Sequence, residues 1–512
     1  HIFQEHPDKN MEESLPIHAF PQSIGIGRLL PFCFIHLRKL FIMSTLKNIL
    51  LSAVLAIAFM SAKAAESSVA VEISNPISLE RAMEMVEIPL ESLEKKLGTA
   101  SGFIVTDADG REVPSQLTYD GKLIFQASVG ARSKSVYHVK QGTPAKYETK
   151  VFGRIYPDRL DDFAWENDRV GYRAYGPAIQ RRGDRLYGYD IFNKRTTALV
   201  VEGFYESELD PALWKIVNKL RREGHGDLAD DVYNAISYHV DHGKGMDCYK
   251  VGPTLGAGTS ALIENGGKDI VYPKCYTSCD ILESGPLRLT FRLTFAPEKV
   301  NGVDVVETRT VTLDAGSHFN RAVISYSGLT SATPVAAGIV VHNENPSAYV
   351  LNAKAGYIGY EDLGDPYSYK EKYRKKQNPQ MGRIFIGTVF PEDLGSAEYR
   401  AFTKEELPRR GSGACGHLLG ISTLKPGTDF TYYFGSGWNR NSETGIASLT
   451  DWEQLLSRFA QCVRKPLKVK FDERNNKRAN TIKTVRDNFI YRVVVSYGFI
   501  FLAPLHLLAY AL

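Results

Sequence analysis

An all-β fold, a small N-terminal β-sandwich followed by a large antiparallel β-supersandwich with a few peripheral helices, is predicted by three features of this 512-residue sequence. Short runs alternating apolar and polar residues recur from Val69 to Gln141 and again from Val151 onward, the period of half-buried strands. Asp109-Gly110, Asp120-Gly121 and Asn301-Gly302 lie between such runs, as tight hairpin turns require. Only "PALWKIVNKL" (211–220) and "LTDWEQLLSRFAQCVRK" (449–465) carry convincing helical spacing. In the second, Trp452, Leu455, Leu456, Phe459 and Val463 share a face and Thr450 is the expected N-cap.

The elements follow in order. From Met43 the sequence reads "MSTLKNILLSAVLAIAFMSAKAAES", with a basic start, a short apolar centre and an Ala-x-Ala exit at Ala62 and Ala64. That is the pattern of a secretory signal peptide over 43–64, which predicts an exported protein, periplasmic or extracellular. Such a signal does not work from an internal position, so residues 1–42 read as upstream sequence joined to the frame. Residues 65–145 form the small sandwich, with "TPAKYETK" (143–150) as linker. The large domain covers 150–471, through "RLYGYDIFNKRTTALVVEGFY", "PLRLTFRLTFAPEKVNGVDVVETRTVTLDAG", "FNRAVISYSG" and "TDFTYYFGSGW". Residues 472–512 change character abruptly and read as read-through or a tail extension. The apolar stretch from Val493 gives membrane association only if that tail is genuine.

Charge narrows the partners. Residues 1–64 hold a surplus of 2 basic groups and 472–512 a surplus of 3, so the chain's +4 leaves 65–471 at −1. Nothing here recommends a nucleic acid. "GPTLGAGTS" lacks the Gly-Lys-Ser/Thr of a phosphate loop, and no nucleotide is expected. Five cysteines follow the signal region, Cys248, Cys275, Cys279, Cys415 and Cys462, too sparse for a disulfide scaffold, although Cys275 and Cys279 are close enough in sequence to pair.

The chemistry gathers in "YHVDHGKGMDCYKVGPTLGAGTSAL" (238–262). His239, Asp241 and His242 supply ligand types for a single divalent cation, but no metal assignment is made and no organic cofactor is expected. As acid–base groups the run is better furnished: His239, His242 and Tyr249 are candidates for proton transfer, and Lys250, with Arg173 from an earlier strand, for pairing with a substrate carboxylate. Arg173 and Tyr175, with Arg169, add a basic, aromatic strand. In "AWENDRV", Trp165 is a candidate sugar platform, with Glu166, Asn167 and Asp168 to bond hydroxyls.

"DDFAWENDRVGYRAYGPA", "RLYGYDIFNKR", the 238–262 segment and "VVETRTVTLDAGSHFNRAVISY" together resemble a family of exported bacterial proteins known as a domain of unknown function. The resemblance spans roughly residues 70–471. Members occur among genes for breakdown of uronate-containing glycans such as pectins and ulvan, and some relatives are lyases. "RTVTLDAGSHFNR" also resembles the β-supersandwich of aldose mutarotases and several polysaccharide lyases. The resemblance implies a saccharide cleft across a concave sheet; together with the acid–base cluster of 238–262 it leads to the expectation of an acidic oligo- or polysaccharide as partner and a lyase acting by β-elimination. It brings no residue-by-residue catalytic assignment. Alternatives are a glycoside hydrolase using Glu166 or Asp168 with a distant carboxylate such as Asp190, a non-catalytic saccharide-binding protein, and, by fold analogy alone, a mutarotase or epimerase.

Overall fold

The computed structural model describes residues 68–365, 381–411 and 413–471. The upstream segment, the signal peptide and the C-terminal apolar stretch lie outside the described residues. Contacts divide the chain into His1–Glu66, which is not described, and Ser67–Leu512, which is one compact unit. No helix among the described residues is long and apolar enough to cross a membrane.

The protein is an all-β sandwich. Its first part builds two small sheets. One runs in the order Lys468–Phe471, Ser68–Ser74, Lys134–Gln141, Phe103–Thr106, Glu112–Val113; the other joins Arg81–Pro89, Lys122–Val129 and Ser115–Leu117. Alternate residues of these strands, Val71, Ile73, Val86, Ile88, Phe103, Val105 and Phe125, meet in one dry core, closed by Leu93 and Leu97 of the helix Leu90–Leu97. The strand Lys468–Phe471 comes from the far end of the chain. It pairs antiparallel with the first strand, Val71 opposite Phe471. No element interrupts 143–150.

The second part has three further sheets, all of antiparallel pairs. The first joins Gly245–Asp247, Asp190–Lys194, Gly171–Ala174, Asp162–Asn167 and Val151–Tyr156. The second joins Asp269–Val271, Ala257–Glu264, Thr333–His342, Ala414–Leu424 and Ser396–Ala401. The largest includes Arg288–Thr294, Val303–Asp314, Phe319–Ser327, Phe430–Trp438, Arg383–Val389 and Tyr357–Leu363. The first sheet lays its inner face on the largest: Trp165 meets Phe291 and Tyr172 meets Phe434, at ring-centroid distances of 4.9 and 5.3 Å. The second packs there too, because Gly258 (φ +100°) has no side chain; a Cβ at that point would lie 2.8 Å from that of Phe434. The glycines of the 238–262 run thus serve a close approach between strands.

Local turn chemistry agrees with the sequence. Asn301 and Gly302 both adopt positive φ, 48° and 85°, and close the hairpin in which Val300 faces Val303. The late helix spans Leu449–Arg464, but Ser448 caps it, its hydroxyl accepting from the amide of Asp451, so Thr450 is the second residue of the helix. Trp452 and Leu456 fill the space left open above Gly359 and Gly387, and Trp452 Nε1 donates to the carbonyl of Ile386 at 3.0 Å. The stretch "ALVVEGFY", read as strand, contains the helix Val201–Glu208; Gly226–Ile236 is a further helix beside Pro211–Arg222.

Candidate functional site

The strand Thr333–His342 is apolar and almost wholly buried until its last residue, where an imidazole enters the same dry environment. His342 is 0 % exposed. Its Nδ1 lies 2.8 Å from Oδ2 of Asp362. A carboxylate only accepts, so Nδ1 is the donor of this contact; in the neutral form of the ring, Nε2 then presents a lone pair. Asp362 is in turn fixed by its own strand, Tyr357–Leu363, where the side chain two positions back, Tyr360, lies on the same face. Tyr360 Oη sits 3.3 Å from Asp362 Oδ1 and accepts from the amide of His342 at 3.1 Å. The amide of Leu363 also reaches Asp362 Oδ1 at 2.9 Å.

Facing this pair is Tyr249, 7 % exposed, its ring perpendicular to that of His342 with centroids 6.3 Å apart. Neither Tyr249 Oη nor His342 Nε2 has a hydrogen-bond partner. Leaving a buried polar atom unpaired costs about 1–3 kcal/mol, so two such atoms on rings 6.3 Å apart call for an explanation. Burial, with the nearby charge of Asp362 second, pushes the Tyr249 hydroxyl well above its ordinary range and keeps it protonated. The next residue, Lys250, closes the outward side: its Nζ lies 2.6 Å from Oε1 of Glu344, two residues beyond His342.

Beneath this group lies an ionic hub. Arg173 is 3 % exposed and donates to Asp190, to Asp247 Oδ2 at 2.8 Å, and to the hydroxyls of Tyr175 and Tyr238, each at 3.2 Å. Burial alone works to lower its pKa, but Tyr175, Asp190 and Asp247 hold it well above the ordinary value. Burial raises Asp190, and Asp247 adds to that rise. Burial also lifts Asp162 to about 6 although Arg173 and Arg159 pull it down. Asp247 directly precedes Cys248 and Tyr249, so the hub fixes the start of the segment carrying the tyrosine.

Several residues of the predicted site stand elsewhere. Trp165 is no sugar platform: it is 0 % exposed, stacks on Tyr172 and donates from Nε1 to Asn320 at 2.8 Å. Glu166 is 0 % exposed and bound by Lys194 Nζ at 2.5 Å, while its other oxygen accepts from the amides of Val200 and Val201. It is the cap of the helix Val201–Glu208 and not a poised acid. Asn167, also 0 % exposed, braces a turn by donating to the carbonyls of Asp314 and Ser317 and accepting from the amides of Arg169 and Val170. Asp168 accepts from the amide of Gly316 at 2.6 Å. Arg169 is half-buried, its charge bearing on His318. Tyr175 and Arg173 belong to the hub, so Arg173 is engaged before any substrate arrives.

His239, Asp241 and His242 do not converge as a metal trio. His239 Nδ1 lies 3.2 Å from the carbonyl of Asp247 and its ring tilts against Tyr238. His242 Nε2 lies 3.2 Å from the carbonyl of Ser237. Asp241 is bound by Arg195 at 2.8 Å and by the amide of Gly243 at 2.9 Å. Among the described residues no group of three or more His, Cys, Asp or Glu is placed to hold a metal ion. Cys275 and Cys279 are free thiols, as are the other three described cysteines.

Of the residues gathered here, the sequence reading named Tyr249 and Lys250 and did not name His342, Asp362 or Glu344. The available signal was a histidine ending the otherwise apolar "TPVAAGIVVH", with a tyrosine and an aspartate two apart in "YIGYEDL".

Fold and site define an antiparallel β-sandwich protein with a buried Asp–His pair facing an unpaired tyrosine. The chain belongs to the family described as domain of unknown function DUF4861, whose model matches residues 73–469. It is 23 % identical over 418 residues to "Uncharacterized protein P7" of Formosa agariphila, covering 78 % of this chain and 92 % of that protein. Among solved structures it is similar, at 9 % identity and a TM-score of 0.39, to a glycosyl hydrolase family 38 protein from Enterococcus faecalis, over 79 % of this chain and 47 % of that one. An alpha-mannosidase from Enterococcus faecalis V583 gives a TM-score of 0.38 at 9 % identity, over 79 % of this chain and 46 % of that chain. The chain thus spans less than half the length of these two structures.

Proposed function

We propose that this protein is an exported lyase that cleaves uronate-containing glycans by β-elimination, with His342 as base and Tyr249 as acid. The observation that carries the reading is the pair of unpartnered buried atoms, His342 Nε2 and Tyr249 Oη, on rings 6.3 Å apart. One is a lone pair oriented by Asp362; the other is a hydroxyl that burial keeps protonated. Elimination needs both. His342 is 0 % exposed at rest, so the substrate must first displace the side chains that cover it; Nε2 then takes the proton from C5 of the uronate, and the C5–H electrons form the C4–C5 double bond. The C4–O bond breaks, and the departing oxygen takes the proton of Tyr249. Proton exchange between the imidazolium and the tyrosinate then restores the starting state. Lys250, adjoining Tyr249, offsets charge on the uronate carboxylate and so acidifies C5. The substrate class rests on Lys250 and on the sequence resemblance described above.

This reading gives the base role to His342 rather than to His239, one of the candidates for proton transfer, whose Nδ1 lies 3.2 Å from the Asp247 carbonyl. The test is ultraviolet absorbance of the protein with a panel of uronate oligosaccharides. A rise from a 4,5-unsaturated product, abolished in Tyr249→Phe and in His342→Gln, is expected. Shortened products without that rise would replace elimination with hydrolysis.

A further inference from the structure

The Lys250–Glu344 ion pair has an uneven character. Lys250 is covered, its side chain 12 % exposed, whereas the Glu344 side chain is 43 % exposed. Their contact is short, 2.6 Å, and it ties together the two segments that carry Tyr249 and His342. Burial raises the Glu344 carboxyl, but the hydrogen bond and charge of Lys250 outweigh it, with His342 acting in the same direction, so the net shift is downward. Glu344 is therefore anionic at neutral pH. A carboxylate on a solvent-facing stem thus occupies the ammonium group that adjoins the proposed acid.

Resting on the elimination reading, we infer that Glu344 is a placeholder for the substrate carboxylate: an incoming uronate displaces it from Lys250, and Glu344 swings to solvent. The exchange conserves the charge balance at Lys250, since one carboxylate replaces another. A neutral sugar brings nothing to exchange for Glu344 and leaves the pair closed. Glu344 then determines specificity by competition, excluding neutral glycans and weakening acidic ones. If the pair were only a brace between two segments, opening it would loosen the fold and add no affinity.

The two cases separate in a binding experiment that requires no turnover. D-glucuronate, with D-glucose as the neutral control, is titrated by ligand-observed NMR into the full protein, Glu344→Gln, Lys250→Met and the double variant. Glu344→Gln is expected to bind D-glucuronate roughly fivefold more tightly than the parent, the range of a partly exposed ion pair. D-glucose is expected to show no such gain, and Lys250→Met to remove it in either background. Equal D-glucuronate binding by parent and Glu344→Gln overturns the proposal, as does an equal gain for D-glucose or absence of binding by every variant. A lowered melting temperature of Glu344→Gln with unchanged affinity also overturns it, in favour of the brace. Failure here with the absorbance signal intact leaves elimination standing. The converse result, the expected binding pattern with no unsaturated product from any glycan, removes elimination and keeps a carboxylate seat.

Discussion

Two buried acid–base pairs in this molecule have nearly the same burial and opposite character. Glu166 and Lys194, both 0 % exposed at the side chain, are saturated: Lys194 Nζ reaches Glu166 and the carbonyl of Asn167, each at 2.5 Å, and the second Glu166 oxygen takes two helix-start amides. Asp362 and His342, each 1 % exposed at the side chain, meet at 2.8 Å, yet the far nitrogen of the imidazole has no partner, and neither has the hydroxyl of Tyr249, whose ring lies 6.3 Å away. Burial alone therefore does not mark a site. A buried charge whose every lone pair is matched is architecture; a buried pair with one end left over can still accept or release a proton.

The strongest way to break this contrast is at the open end. Tyr249→Phe and His342→Gln are each expected to lower turnover by about 10²- to 10⁴-fold. Tyr249→Phe should leave the melting temperature unchanged or slightly higher, because the lost hydroxyl had no partner. A clear drop in stability would show that the hydroxyl is structural. At the saturated end, Glu166→Gln should destabilise by about 3–5 kcal/mol in denaturant unfolding, because Lys194 is left buried without its countercharge. Replacing both partners with apolar residues should recover part of that loss. Trp165→Ala is expected to fall in a similar range, about 3–5 kcal/mol, through a core cavity. Weakened saccharide binding with unchanged stability would return Trp165 to the role of platform.

A smaller effect concerns His417, a buried imidazole pulled down to about 3 by burial, with Arg410 and Arg400 adding to it. Its Nε2 accepts from the amide of Leu255 at 3.1 Å, which requires the neutral ring. A depressed histidine pKa contributes stability that is present above pH 6.5 and is lost as pH falls from there toward 3. Between about pH 7.5 and about pH 4.5 this removes at most about 2–3 kcal/mol. Thermal melts across that interval should be flatter for His417→Gln than for the parent.

What was legible in the sequence was local. Hairpins at Asp120-Gly121 and Asn301-Gly302 follow from turn chemistry carried by two adjacent residues. The helix Leu449–Arg464 follows from its apolar stripe. By contrast, Val201–Glu208 starts at Val200, which has no capping side chain; its cap is Glu166, from the strand Asp162–Asn167 much earlier in the chain. The helix is invisible to a reading that looks for its cap beside it. "AWENDRV" looked like a polar surface loop for the complementary reason: Lys194 and Asn320, the partners that let Glu166 and Trp165 be buried, lie on other strands. Tyr249 and Lys250 could be named as candidates because they sit in one dense run. His342 and Asp362 could not, because the pair forms only when two different sheets come together.

The pairing of Lys468–Phe471 with Ser68–Ser74 has a consequence in time. The first strand described in the chain is flanked on one side by Lys134–Gln141, available early, and on the other by the last strand described. Until that last strand has been made, the first sheet carries an open edge, with amides and carbonyls ready to pair with any other chain. Closing a loop of such length is slow compared with forming the hairpins inside it. The small sandwich is thus begun first and finished last, and a chain interrupted shortly before Lys468 is expected to be a template for aggregation rather than a smaller version of the protein.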